Sequence, residues 1–325
     1  MKKQVFFFLI FISCFATVTF PQRGKNGSLT VTSTGTIVNA YTTLTANANA
    51  GATSINVVSN TLSSHFSSPL AAGDLLFIIQ MQGTKITTDQ YWYGYGYIER
   101  YNHCGKYEFA QVASVSGSNT IVLTCGLQNN YISSGVVQVI RVPRYTALTI
   151  NSGAELTCDA WNGTTGGVLV VEAMGNVVNN GTVNVTAKGF RGGATSPQYS
   201  NPALVLNDYS SNDINAGGQK GEGIAGYGAG SYQYCMGPPA NGGGGGNSHN
   251  AGGGGGSNVS SNFAYNGCGF PDITTNANYI TAWNLESAPA LGWIGTPNQF
   301  STNASYGGGR GGYTFSADDE DALTV

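Results

Sequence analysis

The sequence predicts a mostly β protein: a small β-barrel or sandwich, then β-solenoid-like rungs, then a glycine-rich packed module of the polyglycine-II kind. Three observations predict it. Short runs rich in Val, Ile, Thr and Phe alternate with Gly, Asn and Ser turns through residues 28–142, the signature of half-buried strands. No apolar stripe of helical period and useful length interrupts them. Of the chain's 48 glycines, 30 lie between Gly189 and Gly312, interleaved with Tyr, Phe, Trp and Asn. A slack linker needs no ring anchors, whereas backbones lying in van der Waals contact need residues without a Cβ.

Only 9 % of the 325 residues are charged, against about a quarter in an ordinary soluble domain. Low charge with abundant Gly, Ser, Thr, Asn and Tyr fits extracellular, repetitive structure better than a cytosolic enzyme. A net charge of -3 with scattered basic residues leaves no electrostatic footprint for nucleic acid. Residues 1–22 read as a cleaved export signal. Met1-Lys2-Lys3 is a positive start, Val5 to Ile12 is an apolar run too short to span a bilayer, and the cut is expected between Ala16 and Gln22. Phe11-Ile12-Ser13-Cys14 loosely resembles a lipobox, with acylation of Cys14 as the rival outcome. No later segment reaches the roughly 20 apolar residues of a transmembrane helix, so no integral membrane segment is expected after signal removal.

Residues 23–144 carry the barrel or sandwich. Its strands are SLTVTS, SINVVS, DLLFIIQMQ, EFAQVASV, TIVLTC and VVQVIRV. Val115 to Thr120 reads as a hairpin turn, and Gly73-Asp74 as the turn that launches a buried strand. Tyr91-Trp92-Tyr93-Gly94-Tyr95-Gly96-Tyr97 places five aromatics in seven residues. Strand alternation would put Tyr91, Tyr93, Tyr95 and Tyr97 on one face and Trp92 on the other. Such a face suits stacking on sugar rings or a protein partner, and packing against the neighbouring domain is the plainer alternative.

Residues 145–188 repeat an apolar strand and a turn at Asn151-Ser152-Gly153 and Asn179-Asn180-Gly181. Short runs, each too small to bury itself, fit rungs of a β-solenoid, with antiparallel hairpins as the competing arrangement. Residues 189–315 form the glycine-rich module, centred on GGGGGNSHNAGGGGG at Gly242 to Gly256. A five-glycine run in the polyproline-II conformation spans about 15 Å and has no internal hydrogen bonds, so its amides must pair with neighbours or water. Gly242 to Gly246, Gly252 to Gly256 and Gly307 to Gly312 are the expected adjacent strands, and a disordered linker is the competing outcome. Residues 316–325 read as an acidic tail or the start of a truncated downstream region.

Signal removal leaves Cys104, Cys125, Cys158, Cys235 and Cys268. Export favours disulfides, and Cys104 with Cys125, and Cys235 with Cys268, are the nearest-neighbour pairs. Five is odd, so one thiol remains.

The export signal, GDLLFIIQMQ, KYEFAQV, VQVIRVPRY, AWNGTTGG, KGFRGG, the tandem glycine runs and GGGRGGYTFS together resemble the glycine-rich secreted surface proteins of Bacteroidota-type bacteria. The resemblance implies an adhesin-like surface role and a C-terminal sorting domain. The chain ends at Val325 without one, which points to a partial chain. A weaker similarity, to the tips of phage tail fibres, implies that loops on packed glycine tracts choose the receptor.

No catalytic pattern emerges. His249 beside Ser248 lacks an orienting acid and a GxSxG or HExxH context. There is no CxxC and the chain has only three histidines, so no metal and no cofactor are expected. Asp318-Asp319-Glu320-Asp321 lacks the alternating spacing of a calcium loop. The expected function is a secreted or cell-surface adhesion protein that binds a glycan or protein receptor. Tyr91, Trp92, Tyr93, Tyr95, Tyr97, Tyr227, Tyr232, Tyr234, Asn247, Ser248, His249, Asn250, Phe263 and Tyr265 are its candidate contacts. A self-associating matrix or fibre component is the first alternative. The second is a polysaccharide-active enzyme on a β-helix, with Glu155, Asp159 and Glu172 as its carboxylates.

Overall fold

A computed structural model describes residues 23–88, 96, 98–194, 210–213, 218–225, 233–235, 237 and 239–246, with the backbone pairing of Gly292–Trp293 against Phe300–Ser301 besides. The expected signal and acidic tail lie outside the described residues. The described chain is mostly β and contains no α-helix, with one 3₁₀ turn at Ser133–Gly135. Its strands in order are β1 (Leu29–Val31), β2 (Thr36–Ile37), β3 (Ala40–Thr43), β4 (Ser54–Asn56), β5 (Leu75–Gln80), β6 (Lys85–Ile86), β7 (Ile98–Arg100) and β8 (Tyr107–Ser116). They continue with β9 (Thr120–Leu123), β10 (Val137–Val142), β11 (Arg144–Tyr145), β12 (Leu148–Ile150), β13 (Glu155–Thr157), β14 (Glu172–Ala173), β15 (Val177–Asn179) and β16 (Thr182–Val183).

Six strands make one antiparallel sheet in the order β3-β10-β5-β8-β9-β4. The sheet curls into a half-barrel whose two edges touch. Leu44 bridges Val57, and Thr45 N–H donates to the Asn56 carbonyl. Period-two alternation sorts the side chains. Leu76, Ile78, Val137, Val139, Val112 and Ile121 fill the concave core, while Phe77, Ile140 and Val142 face outward.

Polar side chains close both ends of this core. At one end the buried Arg141 gives Nη1 to the carbonyls of Leu62 (3.0 Å) and Ser68 (2.7 Å) and pairs through Nη2 with Asp74 (2.8 Å). Its guanidinium also lies 4.0 Å from the centre of the Phe66 ring, a cation–π contact. At the other end the buried Gln80 donates to Asn102 O and accepts from Ile132 N–H. Beside it the Glu108 carboxylate accepts from Gln128 N–H, Asn129 N–H and the Tyr131 hydroxyl.

The remaining strands form small parallel sheets. β12 pairs in parallel with β1 on one side and β15 on the other, β13 likewise with β2 and β16, and β11 with β14. The chain thus passes the same place three times, at residues 29–37, 144–157 and 172–183. Parallel pairing excludes the hairpin arrangement for these runs. β1 and β2 precede the antiparallel sheet in sequence yet pair with strands more than a hundred residues later. The sheet is therefore inserted between the first and second passes. The turns stack too: a Cβ on Gly181 would fall within 3.0 Å of the Asn151 and Ala154 carbonyls of the turn below.

One segment joins the two parts. In Val168-Leu169-Val170-Val171, Val168 and Val170 pack on Phe77, Ile140 and Val142, while Leu169 and Val171 pack on Val31, Leu148, Ile150 and Leu156. Side chains of the sheet satisfy part of its backbone. Asn39, fully buried, accepts from Val170 N–H (3.1 Å) and donates to Val170 O (2.7 Å). Gln138 does the same for Gly166, and the Tyr41 hydroxyl donates to Val168 O.

Candidate functional site

The described part of the glycine-rich region is built from close backbone contacts. Gly221 N–H donates to Gly243 O, Gly246 N–H to Gly218 O, Gly245 N–H to Cys235 O, and Gln219 N–H to Ala194 O. A Cβ added at Gly193, Gly223, Gly242 or Gly245 would lie within 3.0 Å of backbone in a neighbouring segment, closer than any real side chain sits. Gly242 to Gly246 is therefore an ordered member of a packed layer, and its partners are residues 218–223 and 235. The other two expected strands, Gly252 to Gly256 and Gly307 to Gly312, lie outside the described residues.

Two charged residues hold this layer. Lys220 is fully buried and donates from Nζ to Cys235 O at 3.0 Å and to Gly237 O. Burial pushes its pKa well below the usual lysine range. Glu222 accepts from Trp161 Nε1 (3.0 Å), Arg191 N–H (2.9 Å) and Arg191 Nε (3.0 Å). Burial opposes its ionisation, but the hydrogen bonds and charge of Arg191 outweigh that, and its carboxyl lies below the ordinary range. Trp161 also meets Phe190 edge to face, with ring centres 5.5 Å apart. Gln82 Nε2 reaches Gly223 O at 2.9 Å, which ties the layer to the antiparallel sheet.

Of the sequence-nominated contacts, Tyr91, Trp92, Tyr93, Tyr95, Tyr97, Tyr227, Tyr232, Asn247, Ser248, His249, Asn250, Phe263 and Tyr265 lie outside the described residues. Tyr234 is buried rather than displayed. It pairs with Ser211 in an isolated bridge, and its hydroxyl accepts from Gln219 Nε2.

The expected Cys104–Cys125 disulfide does not form; both residues are thiols. Thr124 N–H meets Gln111 O, which sets Cys125 beside the middle of β8, whereas Cys104 lies in the turn before Tyr107 with Sγ 3.2 Å from Met81 O. The strand from Tyr107 to Ala110 alone separates them by about 10 Å at about 3.3 Å per residue, beyond the reach of a disulfide. Burial raises the Cys104 pKa. The proposed partner of Cys235, Cys268, lies outside the described residues.

Glu172, one of the three carboxylates considered for catalysis, is bound by Nε and Nη2 of the buried Arg144, with Arg23 at 3.8 Å. Among the described residues no group of three or more His, Cys, Asp or Glu could hold a metal ion. No helix among them is long and apolar enough to cross a membrane.

Sequence reasoning missed an aromatic surface on the outer face of the sheet. β8 sets Phe109 directly opposite Phe77 of β5. The ring centres of Phe77 and Phe109 are 5.1 Å apart, and those of Phe77 and Tyr107 5.4 Å. Phe77 is buried, but Tyr107 is 60 % and Phe109 54 % exposed. Beside them runs an open cleft of about 300 Å³ lined by Leu75, Phe109, Gln111, Thr124, Gly126 and Gln128. The outward positions Tyr107, Phe109 and Gln111 were visible as a period-two pattern. Their exposure was not, because the cover that hides Ile140 and Val142 stops short of them.

No protein-family pattern matches the sequence, and no characterised protein matches it. In fold the chain is distantly similar to bacteriophage tailspikes. Gp54 tailspike of Acinetobacter baumannii bacteriophage AP22, in complex with A. baumannii capsular saccharide, matches with 21 % identity and a TM-score of 0.24, over 48 % of this chain and 27 % of its own. The tailspike gp61 of Pseudomonas phage phi297 matches at 15 % and 0.22, over 45 % and 20 %. The tailspike gp49 of Pseudomonas phage LKA1 matches at 16 % and 0.20, over 42 % and 28 %. This chain spans between a fifth and a third of the length of those tailspikes.

Proposed function

We propose that this chain is an exported, adhesin-like binding module, secreted or held at the cell surface, that presents polar and aromatic residues on a glycine-packed scaffold to a glycan or protein. The observation that carries this is the backbone packing at Gly193, Gly223, Gly242 and Gly245, which makes the described part of the glycine-rich region a built layer rather than a tether. We read the three parallel passes as coils of a β-solenoid, and the glycine layer, joined to Trp161 and Gln82, as a polyglycine-II-like pack beside them. Asn247 to Asn250, which the sequence sets between two glycine runs, are the proposed ligand contacts. The resemblance to glycine-rich surface proteins of Bacteroidota-type bacteria agrees with this role, and binding without turnover is its natural activity.

The test is binding of the full chain to a glycan array and to intact cells. Replacing Asn247, Ser248, His249 and Asn250 by residues of similar size and different hydrogen-bonding is expected to abolish part of the binding. Binding that survives the change unaltered removes those loops from the ligand site. Release of reducing ends from a polysaccharide panel, lost in Glu172→Gln, would replace the module by an enzyme.

A second role, structural self-association, is favoured by the third pass. Val177 stacks on Leu148 and Val183 on Leu156, yet the lower pair are 2 % and 1 % exposed and the upper pair 58 % and 52 %. The inward-facing column thus ends on open valines.

A further inference from the structure

We propose that the outer face of β5 and β8 is a binding site for a neutral polysaccharide, with the Tyr107 and Phe109 rings stacking on sugar faces and the cleft amides of Gln111 and Gln128 taking hydroxyls. This deepens the binding role proposed above and rests on it, but places the ligand on the antiparallel sheet and away from the glycine loops.

The occupant follows from what this face offers. β5 is laddered on both sides, by β10 and β8. β8 pairs with β5 over Tyr107–Gln111 and with β9 only from Val112 onward. The other edge of Tyr107–Gln111 is flanked by residues 124–129, with Thr124 N–H on Gln111 O and Asn129 Nδ2 on Tyr107 O, which leaves no continuous open edge for a peptide to add as a strand. Recognition falls to side chains. Two rings of about 150–250 Å² each, roughly half exposed, offer about 200 Å² of apolar contact. A stable protein partner needs about 800 Å² on each side, so the patch is too small for one but suits a few sugar rings. The rings are held in place. Phe77 backs both of them from β5 at 5.1 and 5.4 Å, so little side-chain freedom is lost on binding.

Among the described residues, the polar groups beside the rings are two amides, a hydroxyl and a thiol: Gln111, Gln128, Thr124 and Cys125. Charge is turned away from the ligand. Among the described residues the one carboxylate at the cleft, Glu108, spends its oxygens on Gln128 N–H, Asn129 N–H and the Tyr131 hydroxyl at 2.8 to 3.1 Å. Among the described residues this lining of rings, amides, a hydroxyl and a thiol holds no lysine or arginine, which favours an uncharged glycan over an acidic one. From Tyr107 to Gln111 the outward row is about 13 Å long at about 3.3 Å per residue, room for more than one ring of a polymer.

Affinity electrophoresis of the full chain through gels containing mannan, xylan, β-glucan or galactomannan tests this, with alginate as the acidic comparison. Retardation by at least one neutral polymer is expected. Tyr107→Ala and Phe109→Ala should each weaken it at least tenfold and Gln111→Ala about threefold, whereas Tyr107→Phe should retain most of it. These residues are exposed, so unchanged thermal midpoints separate a lost site from a lost fold. Retention by a neutral glycan that none of these variants alters overturns this site while leaving the adhesin role intact. Retardation by alginate alone overturns the neutral ligand. Failure of every neutral polymer overturns the site, and loss of binding to a protein-coated surface in the same variants would assign the patch to a protein instead.

Discussion

Gly192 and Gly193 are neighbours with opposite surroundings. A Cβ on Gly192 meets nothing within 4 Å, whereas on Gly193 it would collide with the Gln219 and Lys220 carbonyls. Gly192→Ala is therefore expected to be neutral or to stabilise by about 0.5 kcal/mol through the unfolded chain. Gly193→Ala must push two backbones apart and should cost about 1–3 kcal/mol. Chemical denaturation of the two variants checks the difference, and equal stabilities would mean that the layer does not hold. Glu222 gives the same layer a pH signature. Its folded pKa lies below the free value of 4.5, so its contribution is complete above about pH 4.5 and is lost as pH falls through the folded value. Stability of the native chain minus that of Glu222→Gln should be largest at neutral pH and shrink on acidification. A difference that does not change between pH 7 and 3 would show that Arg191 and Trp161 do not favour the ionised form.

At the scale of elements, the segment Gly166 to Val171 is fixed more by side-chain amides than by a ladder. Asn39→Leu leaves Val170 N–H and C=O without their buried partner, at about 1–3 kcal/mol for each group left unsatisfied. Loss of about 2–4 kcal/mol of unfolding free energy in chemical denaturation is expected, and a near-neutral result would show that water replaces the amide. This device also marks the limit of what the sequence reveals. β5, β8, β9 and β10 were legible because Leu75 to Gln80, Tyr107 to Ser116, Thr120 to Leu123 and Val137 to Val142 carry dense β-branched and aromatic runs between turns. The parallel stacking of β12 on β15 was legible from the two Asn- and Gly-containing turns beneath them. The partner of β1 was not: nothing in Leu29-Thr30-Val31 distinguishes a sheet edge from a first coil, and its partner lies more than a hundred residues away. Contact between glycine backbones was legible in Gly242 to Gly246, but its partners, residues 218–223, carry a lysine and a glutamate and look like a loop. The exposed rings of Tyr107 and Phe109 depend on where Val168 to Val171 ends its cover, a tertiary fact without a local signal. The expected disulfide failed for a similar reason: nearness in sequence between Cys104 and Cys125 is undone by the strand that separates them.

Across the whole molecule, the three parallel passes leave a column with two ends, and the ends differ. At the last pass, β15 and β16 are paired on one edge among the described residues, and Val177 and Val183 stand exposed over the buried Leu148 and Leu156. An unpaired strand edge with inward-facing valines is a template for another strand. A second copy can meet it in two ways. Two such ends joined about a twofold axis close on each other and stop at a dimer, whereas β15 stacking against β1 of the next chain continues the column and grows without limit. Light scattering across a concentration series separates these. A mass that levels at two chains identifies the closed form, and a mass that keeps rising identifies the fibre. Either should be lost in a Val177→Lys, Val183→Lys double variant, because a charge on each inward position must lose its water when the next layer arrives. Both substituted positions are more than half exposed in the single chain, so the variant should keep its thermal midpoint while remaining monomeric. A native chain that stays monomeric at the highest concentration would show that the open valines are covered within one molecule, and the structural role would fall while the binding role stood.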